Sequence, residues 1–403
     1  MNSRTLVCAC IAVGALCCFA DGGSREYYAD PASGNDANDG LSSAKAFKTL
    51  MRATRVLKAG DVLNLAPGAV FHESLVIASS GTETAPIVIH GNGAVLSGLQ
   101  PIDPGKWEAL GDDLWFQPSD RCWGALRPRV FIGDEMISPV CGNPAKVDPA
   151  KLGPRTAIWQ QKGVYFRAEK GKSPRDYALA GGIGASKGSH SGLIIDGKSY
   201  IVVDGLVAEH FPNDGFNIHG TCRGIVCRNI VARNNGDDGF SIHDDVLAMV
   251  VGLHSHHNDF GIQDVGFAQT VVSGAVIEDN RFGGIDEFGG IRILRGVVVR
   301  GNGGPQMCFR RAIGARAKSS SPLVVTTAYI EDVKVEGGGG EALVVEDGAT
   351  VTAKDCTFSG TQRACALRGG RVHMENCTAS GCGTPSEISP KCTFTQAGCE
   401  GLQ

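Results

Sequence analysis

Carboxylates and imidazoles crowd the middle of this chain at a spacing that suits acid–base chemistry. Asp214 precedes the pair Asp237-Asp238 by 23 and 24 residues, and Asp259 follows Asp238 after another 21. His219 and His243 each stand five residues beyond an aspartate, and Ser255-His256-His257-Asn258 adds a histidine-rich turn. Two carboxyls held close together oppose each other's ionisation, so one keeps its proton near neutrality and can serve as an acid. A neutral imidazole beside a carboxylate acts as a base or orients one. Asp214, Asp237, Asp238, His243 and His256 are therefore the candidate catalytic residues. His219, Asp244, Asp259, Arg292 and Arg295 are the candidate substrate-binding residues. Each aspartate alone is equally at home in a turn, bonding its own backbone. A ladder of turns does not by itself call for so many histidines, and the patch is read as chemical.

Paired carboxylates suit hydrolysis of a glycosidic bond, where inversion needs roughly 6.5–9.5 Å between them to admit water. This reading requires no cofactor. The alternative is β-elimination on an acidic polysaccharide, which needs a base at the uronate C5 and cations against its carboxylate. No lysine occurs between Lys198 and Lys318. The base would then be Arg233, Arg292, Arg295, His219 or His243, with calcium held by aspartates. A noncatalytic carbohydrate-binding protein remains the third reading. The expected partner is a polysaccharide or oligosaccharide met by a monomer. A formal charge of −4 gives no global attraction to nucleic acid, and no Cys/His spacing marks a zinc site.

The elements that position these residues repeat. Asp214-Gly215-Phe216-Asn217-Ile218 recurs as Asp238-Gly239-Phe240-Ser241-Ile242, and Phe260-Gly261-Ile262 and Phe282-Gly283-Gly284-Ile285 continue the series. Aligned on these phrases, His219, His243, Gln263 and Asp286 form one column facing solvent. Units of 20 to 24 residues with Val/Ile-rich strands cannot bury their own apolar faces, so stacking must supply the core. The fixed leucine frame of a leucine-rich repeat is missing, and a parallel β-helix of about eight rungs over 194–380 accounts for the pattern. Glycine, 56 of 403 residues, then supplies the turns.

Around this solenoid, four regions are expected. Residues 1–20, with Arg4 before an apolar run ending at Phe19-Ala20, read as a secretory signal peptide, placing the protein outside the cell or in the periplasm. No other stretch is apolar enough to span a membrane. Residues 24–100 hold the N-terminal cap and first rungs, with one amphipathic helix over 43–58 capped by Ser42 or Ser43. Residues 101–190 interrupt the pattern as an inserted side subdomain carrying all four tryptophans, which either pack its core or stack on sugars. Residues 191–403 hold the main rungs and a cysteine-rich end, where six cysteines after residue 350 suggest disulfides.

Two resemblances add to this. Tyr27-Tyr28-Ala29-Asp30-Pro31, Gly34-Asn35-Asp36, Gly40, Phe47-Lys48-Thr49-Leu50 and Ala59-Gly60-Asp61 resemble the opening segment of secreted right-handed β-helix proteins of the pectate-lyase-like superfamily. That implies an all-β, right-handed parallel solenoid and leaves the reaction open, because the superfamily holds lyases, hydrolases, epimerases and non-enzymes. Asn213-Asp214-Gly215, Gly236-Asp237-Asp238, the histidine turn and Ile291-Arg292-Ile293 are similar in order to the motifs of polygalacturonase-type glycoside hydrolases. The resemblance implies acid/base roles for Asp214, Asp237 and Asp238, an assisting role for His256 or His257, and carboxylate binding by Arg292. Leu294 stands where that family's pattern has lysine.

Overall fold

The computed structural model describes residues 23–121, 127–139, 144–184, 190–312 and 325–402. The expected signal peptide, Cys122, Trp123 and Cys141 lie outside the described residues. The chain winds into a right-handed parallel β-helix whose rungs each contribute a strand to three parallel sheets. One turn of the coil runs from Ile201–Asp204 (sheet I) through Val207–Glu209 (sheet II) to Phe216–His219 (sheet III). The next turn uses Thr221–Arg228, Val231–Arg233 and the long strand Asp238–Val251, which serves sheet III first and then sheet I of the following rung.

Strand alternation builds the core. In sheet I, Ile201, Ile225 and Ala248 stack inward in register, as do Ala328 and Val351 further along. In sheet III, Phe216, Phe240, Ile262, Ile285, Met307 and Leu343 do the same. All of these side chains are buried, joining one continuous apolar cluster. The glycine excess finds its use at the corner between sheets I and II. There Gly205, Asn229, Gly252, Gly274, Gly296, Asp332, Asp355, Asn376 and Gly398 all adopt φ between +51° and +71°, the left-handed region that Gly, Asn and Asp tolerate best.

The corner between sheets II and III is held by stacked asparagines inside the coil. Asn258 Oδ1 accepts from the Asn235 backbone N–H at 3.0 Å and from its Nδ2 at 2.9 Å. Asn280 and Asn302 repeat the arrangement one and two rungs on, and Gln306 closes the ladder by accepting from Asn302. All four asparagines are fully buried or nearly so. Asn258→Ala strips two buried donors of Asn235 of their acceptor, each such loss costing about 1–3 kcal/mol. Denaturant unfolding is expected to show a drop of at least that size; an unchanged midpoint would contradict the ladder's role.

The expected helix over 43–58 is shorter than its pattern. A 3-10 turn, Ser43–Lys45, is followed by an α-helix confined to Leu50–Val56. Its cap is Thr49, whose Oγ1 accepts from Arg52 N at 3.2 Å. Phe47 interrupts the helix because its backbone bridges to the first strand, with Phe47 N donating to Tyr28 O and its own O accepting from Asp30 N. The helix buries Leu50 and Ala53 against the first rungs.

The insert forms two antiparallel sheets. One contains Leu99–Pro101, Arg129–Ile132, Glu135–Met136 and Leu179–Gly182; the other Glu108–Gly111, Leu114–Pro118, Thr156–Gln160 and Gly163–Arg167. Trp159 is buried in its core beside Val130, Phe166 and Leu179, and Trp107 and Trp115 pack against that cluster. These three tryptophans therefore serve packing. The nine described cysteines are free thiols in this structure, and no helix among the described residues is long and apolar enough to cross a membrane.

Candidate functional site

The aspartates sit on the corner that leads into sheet III, where rungs are locked by backbone bonds. Asp237 N donates to Asn213 O, Asp259 N to Asp237 O and Gly215 N to Asp238 O, at 3.1, 2.7 and 2.9 Å. These bonds define two neighbouring columns. Asn213, Asp237 and Asp259 form one; Asp214, Asp238 and Phe260 form the other.

The solenoid brings Asp214, Asp237 and Asp238 together, as expected. Asp214 is an acceptor on both oxygens. Its Oδ1 takes the Asp238 backbone N–H at 3.2 Å, and its Oδ2 takes Asn213 Nδ2 at 2.9 Å and Asn217 Nδ2. Asn213 Nδ2 also reaches Ser191 Oγ at 3.2 Å, which contacts His190 Nδ1. Asp238 is equally buried, yet its Oδ1 has no hydrogen-bond partner among the described residues. Asp237 differs, with about a quarter of its side chain exposed (24%).

The insert completes this corner. Arg127 Nη1 donates to Asp237 Oδ1 at 2.8 Å and to Asp259 Oδ2 at 2.7 Å. Arg129 Nη2 binds both oxygens of Asp259, and Arg281 Nε adds a third contact at 2.6 Å. Asp259, fully buried, is thus the clasp between insert and solenoid and not a surface ligand for substrate. The docking is tight. A Cβ on Gly236 would lie 2.4 Å from Arg127 O and 2.6 Å from Pro212 O, so only glycine admits the insert's backbone here.

Sequence reasoning missed Arg127, Arg129 and Arg281. Their trace is slight: Arg127-Pro128-Arg129 puts two guanidinium groups on the same side of an extended segment, but which carboxylate they meet depends on the insert's path.

The electrostatics follow from burial. Burial foremost, and then the charge of Asp237, pushes the Asp214 carboxyl up to about 8 against its donors. Burial raises Asp237 to about 6, with Arg127 opposing and Asp259 reinforcing the shift. Asp238 is driven well above the usual carboxylate range by burial, then by Asp237 and Asp214. Near neutrality the corner holds an ionised, arginine-bound Asp237 beside protonated carboxyls.

Other expected site residues lie elsewhere. His219 and His243 stack with centroids 4.4 Å apart and planes at 16°, His243 Nε2 lies 3.2 Å from Ser241 Oγ, and Asp244 Oδ2 accepts from Gly220 N. They occupy the far end of sheet III, roughly 16 Å along the strand from Asp238 at about 3.3 Å per residue. The expected column of His219, His243, Gln263 and Asp286 does not form: Gln263 and Asp286 pair in register with Ser241, and Val265 with His243. The two-residue offset arises because Ile262, not Phe260, is the partner of Phe240. A slip of two keeps every side chain on its face, so hydrophobic pattern cannot detect it.

His256 stands on the outer face of sheet II, beside His254 and with His257 Nδ1 at 2.7 Å. Burial, then the neighbouring His254, His257 and Arg233, lowers it to about 4, so it is neutral at physiological pH. Arg295 is on sheet I, 3.3 Å from Glu331. Arg292 is a correction of greater weight. It points into the coil, fully buried, and contacts Glu287 and, at 3.2 Å, Asp264, whose Oδ2 accepts from Thr270 Oγ1 at 2.6 Å. It follows Ala248 and Thr270 in the inward column of sheet I and cannot meet a ligand outside. Of the candidate aspartates, Asp214, Asp237, Asp244 and Asp259 are committed to arginines and amides. Among the described residues no group of three or more His, Cys, Asp or Glu is arranged to hold a metal ion.

Comparison with known proteins agrees with the architecture. Residues 186–379 match the family described as right handed beta helix region. The pectate lyase Pel9A superposes over 94% of this chain and 78% of its own, with a TM-score of 0.55 at 13% identity. A glycoside hydrolase superposes over 94% of this chain and 97% of its own, with a TM-score of 0.60 at 10% identity. No curated protein matches the chain by sequence. At such identities the likeness establishes the fold, one shared by carbohydrate-active lyases and hydrolases, and the reaction must be argued from the site.

Proposed function

We propose that this chain is a secreted glycoside hydrolase that cleaves a polysaccharide or oligosaccharide with Asp237 and Asp238, acting as a monomer without a cofactor. The observation that carries the reading is the asymmetry of the corner. Asp238 is a buried carboxyl with one oxygen lacking any partner among the described residues, while Asp237 reaches solvent and is held by Arg127. A bare buried carboxyl oxygen is costly unless the group carries a proton or meets a bound molecule. Asp238, 3% exposed in the free chain, is accordingly the general acid that protonates the glycosidic oxygen once substrate opens this corner, as the bond to the anomeric carbon breaks. Asp237, ionised, takes a proton from the water that attacks that carbon. Asp214 touches neither reacting atom; it fixes the Asp238 backbone, while the burial of Asp238 itself and the charge of Asp237 keep that proton in place.

Elimination is the weaker alternative. Of its candidate bases, Arg292 is sealed in the core, and Arg233 and Arg295 are paired with Glu209 and Glu331. That leaves the stacked imidazoles of His219 and His243, away from the carboxylate corner.

The roles fix a pH profile. The base is competent only once Asp237 has lost its proton, so kcat/KM should rise through about 6. The acid must stay protonated, and burial, then the charge of ionised Asp237, holds Asp238 well above the usual carboxylate range there. Activity is expected to persist through that pH. A rate already falling where Asp237 ionises would contradict the assignment.

A further inference from the structure

The inward position just before each sheet II strand can be followed along the coil: Leu206, Ile230, Leu253, Ala275, Val297, Val333, Cys356, Cys377 and Cys399. Aliphatic side chains fill it for six rungs, and thiols fill the last three. Cysteine is close in size to the alanine and valines of the three preceding rungs, so packing accepts the thiols, and what three in succession add is sulfur stacked on sulfur.

Their geometry suits bond formation. Thr357 pairs with Thr378 and Thr378 bridges to Glu400, so the residue before each stands directly above the next. Parallel rungs are about 4.8 Å apart, inside the 4.4–6.8 Å Cα separation that a disulfide spans. The side chains point the same way and already touch. The thiols of Cys356 and Cys377 hydrogen-bond one another, and Cys377 N donates to Cys399 Sγ at 3.3 Å. Cys356 and Cys377 are buried, whereas Cys399, on the last rung, is partly open to solvent.

We propose that Cys377 and Cys399 are an oxidisable pair that cross-links the last two rungs, with Cys356 remaining as the adjacent free thiol. The oxidant is a low-molecular-weight disulfide. The Cys399 thiolate attacks one of its sulfurs, forming a mixed disulfide and releasing one small thiol. The Cys377 thiolate then attacks Cys399 Sγ, forming the protein disulfide and releasing the second small thiol. The two protons lost by the cysteines end on the two small thiols, and two electrons pass to the oxidant. The Cys356 hydrogen bond aids this step by lowering the Cys377 thiol to about 7, enlarging its thiolate fraction.

The test treats the full chain with oxidised glutathione or with dithiothreitol, alkylates it after unfolding, and maps peptides by tandem mass spectrometry. The proposal expects Cys377 linked to Cys399 in the oxidised sample and Cys356 alkylated in both. Cys377 alkylated after oxidation, or bonded to any other cysteine, would overturn it. Hydrogen exchange supplies a second measure. Amides of Thr393–Ala397 should exchange on the order of tenfold more slowly in the oxidised chain, since closing a 22-residue loop restricts opening. Cys399→Ser should abolish that difference. Equal exchange in the oxidised and reduced wild-type chains would overturn the cross-link.

Discussion

Asp238→Asn is expected to lower turnover by about 10²–10⁴-fold, the usual worth of a positioned general acid, and to make the protein more stable at neutral pH. The second effect follows from linkage. The Asp238 carboxyl is held well above its ordinary value in the folded chain, chiefly by burial. Between the ordinary carboxyl pKa and the raised one, the folded chain binds a proton that the unfolded chain has lost, so stability falls as pH rises through that window. Asparagine has the same shape, carries no charge and removes that loss. A turnover assay on a cleaved substrate with a thermal melt at two pH values checks both parts. Unchanged turnover would remove Asp238 from the mechanism, and a lower melting temperature at neutral pH would show that its carboxyl is not held protonated. An inactive variant more stable than the parent is the mark of a site maintained against stability.

Arg292→Met is the second large effect, and it acts on the fold. Arg292, Asp264 and Glu287 form an ion cluster wholly inside the coil. Burial raises both carboxyls while Arg292 opposes the shift. Removing the cation strands two buried acids, and breaking such a cluster typically costs about 3–5 kcal/mol. Denaturant unfolding should show a loss of that order. Replacing all three residues with apolar ones of similar volume should recover it, because an apolar cluster avoids the desolvation that the charges incur. If the single variant matches the wild type, the cluster does not hold the middle rungs together.

Much of this architecture was legible in the residues, for physical reasons. The phrase Asp-Gly-Phe-x-Ile recurs because the same corner glycine, the same inward aromatic and the same inward aliphatic are needed on each rung, and Asp214 and Asp238 fall into one column. The insert was visible as a break in that period. What failed was register and facing. Phe260 imitates Phe240 but belongs two places earlier, and a shift of two costs an alternating strand nothing in pattern. Arg292 matches in order the carboxylate-binding arginine of the polygalacturonase-type motifs, and an arginine on a strand is usually exposed. Only the three-dimensional coil shows Asp264 and Glu287 replacing the inward isoleucines Ile218 and Ile242 of earlier rungs. The clasp of Arg127 and Arg129 on Asp259 joins residues more than a hundred positions apart, a distance over which local spacing carries no information.

The reading of the corner as a hydrolytic acid–base pair meets its most direct test in the products. The purified chain is offered a panel of plant and algal polysaccharides. New reducing ends and the ultraviolet absorbance of unsaturated uronates are followed in the same reactions. The expected result is saturated reducing ends with no rise in absorbance, lost in Asp237→Asn and Asp238→Asn alike. Unsaturated products, or cleavage that survives both substitutions, would contradict it.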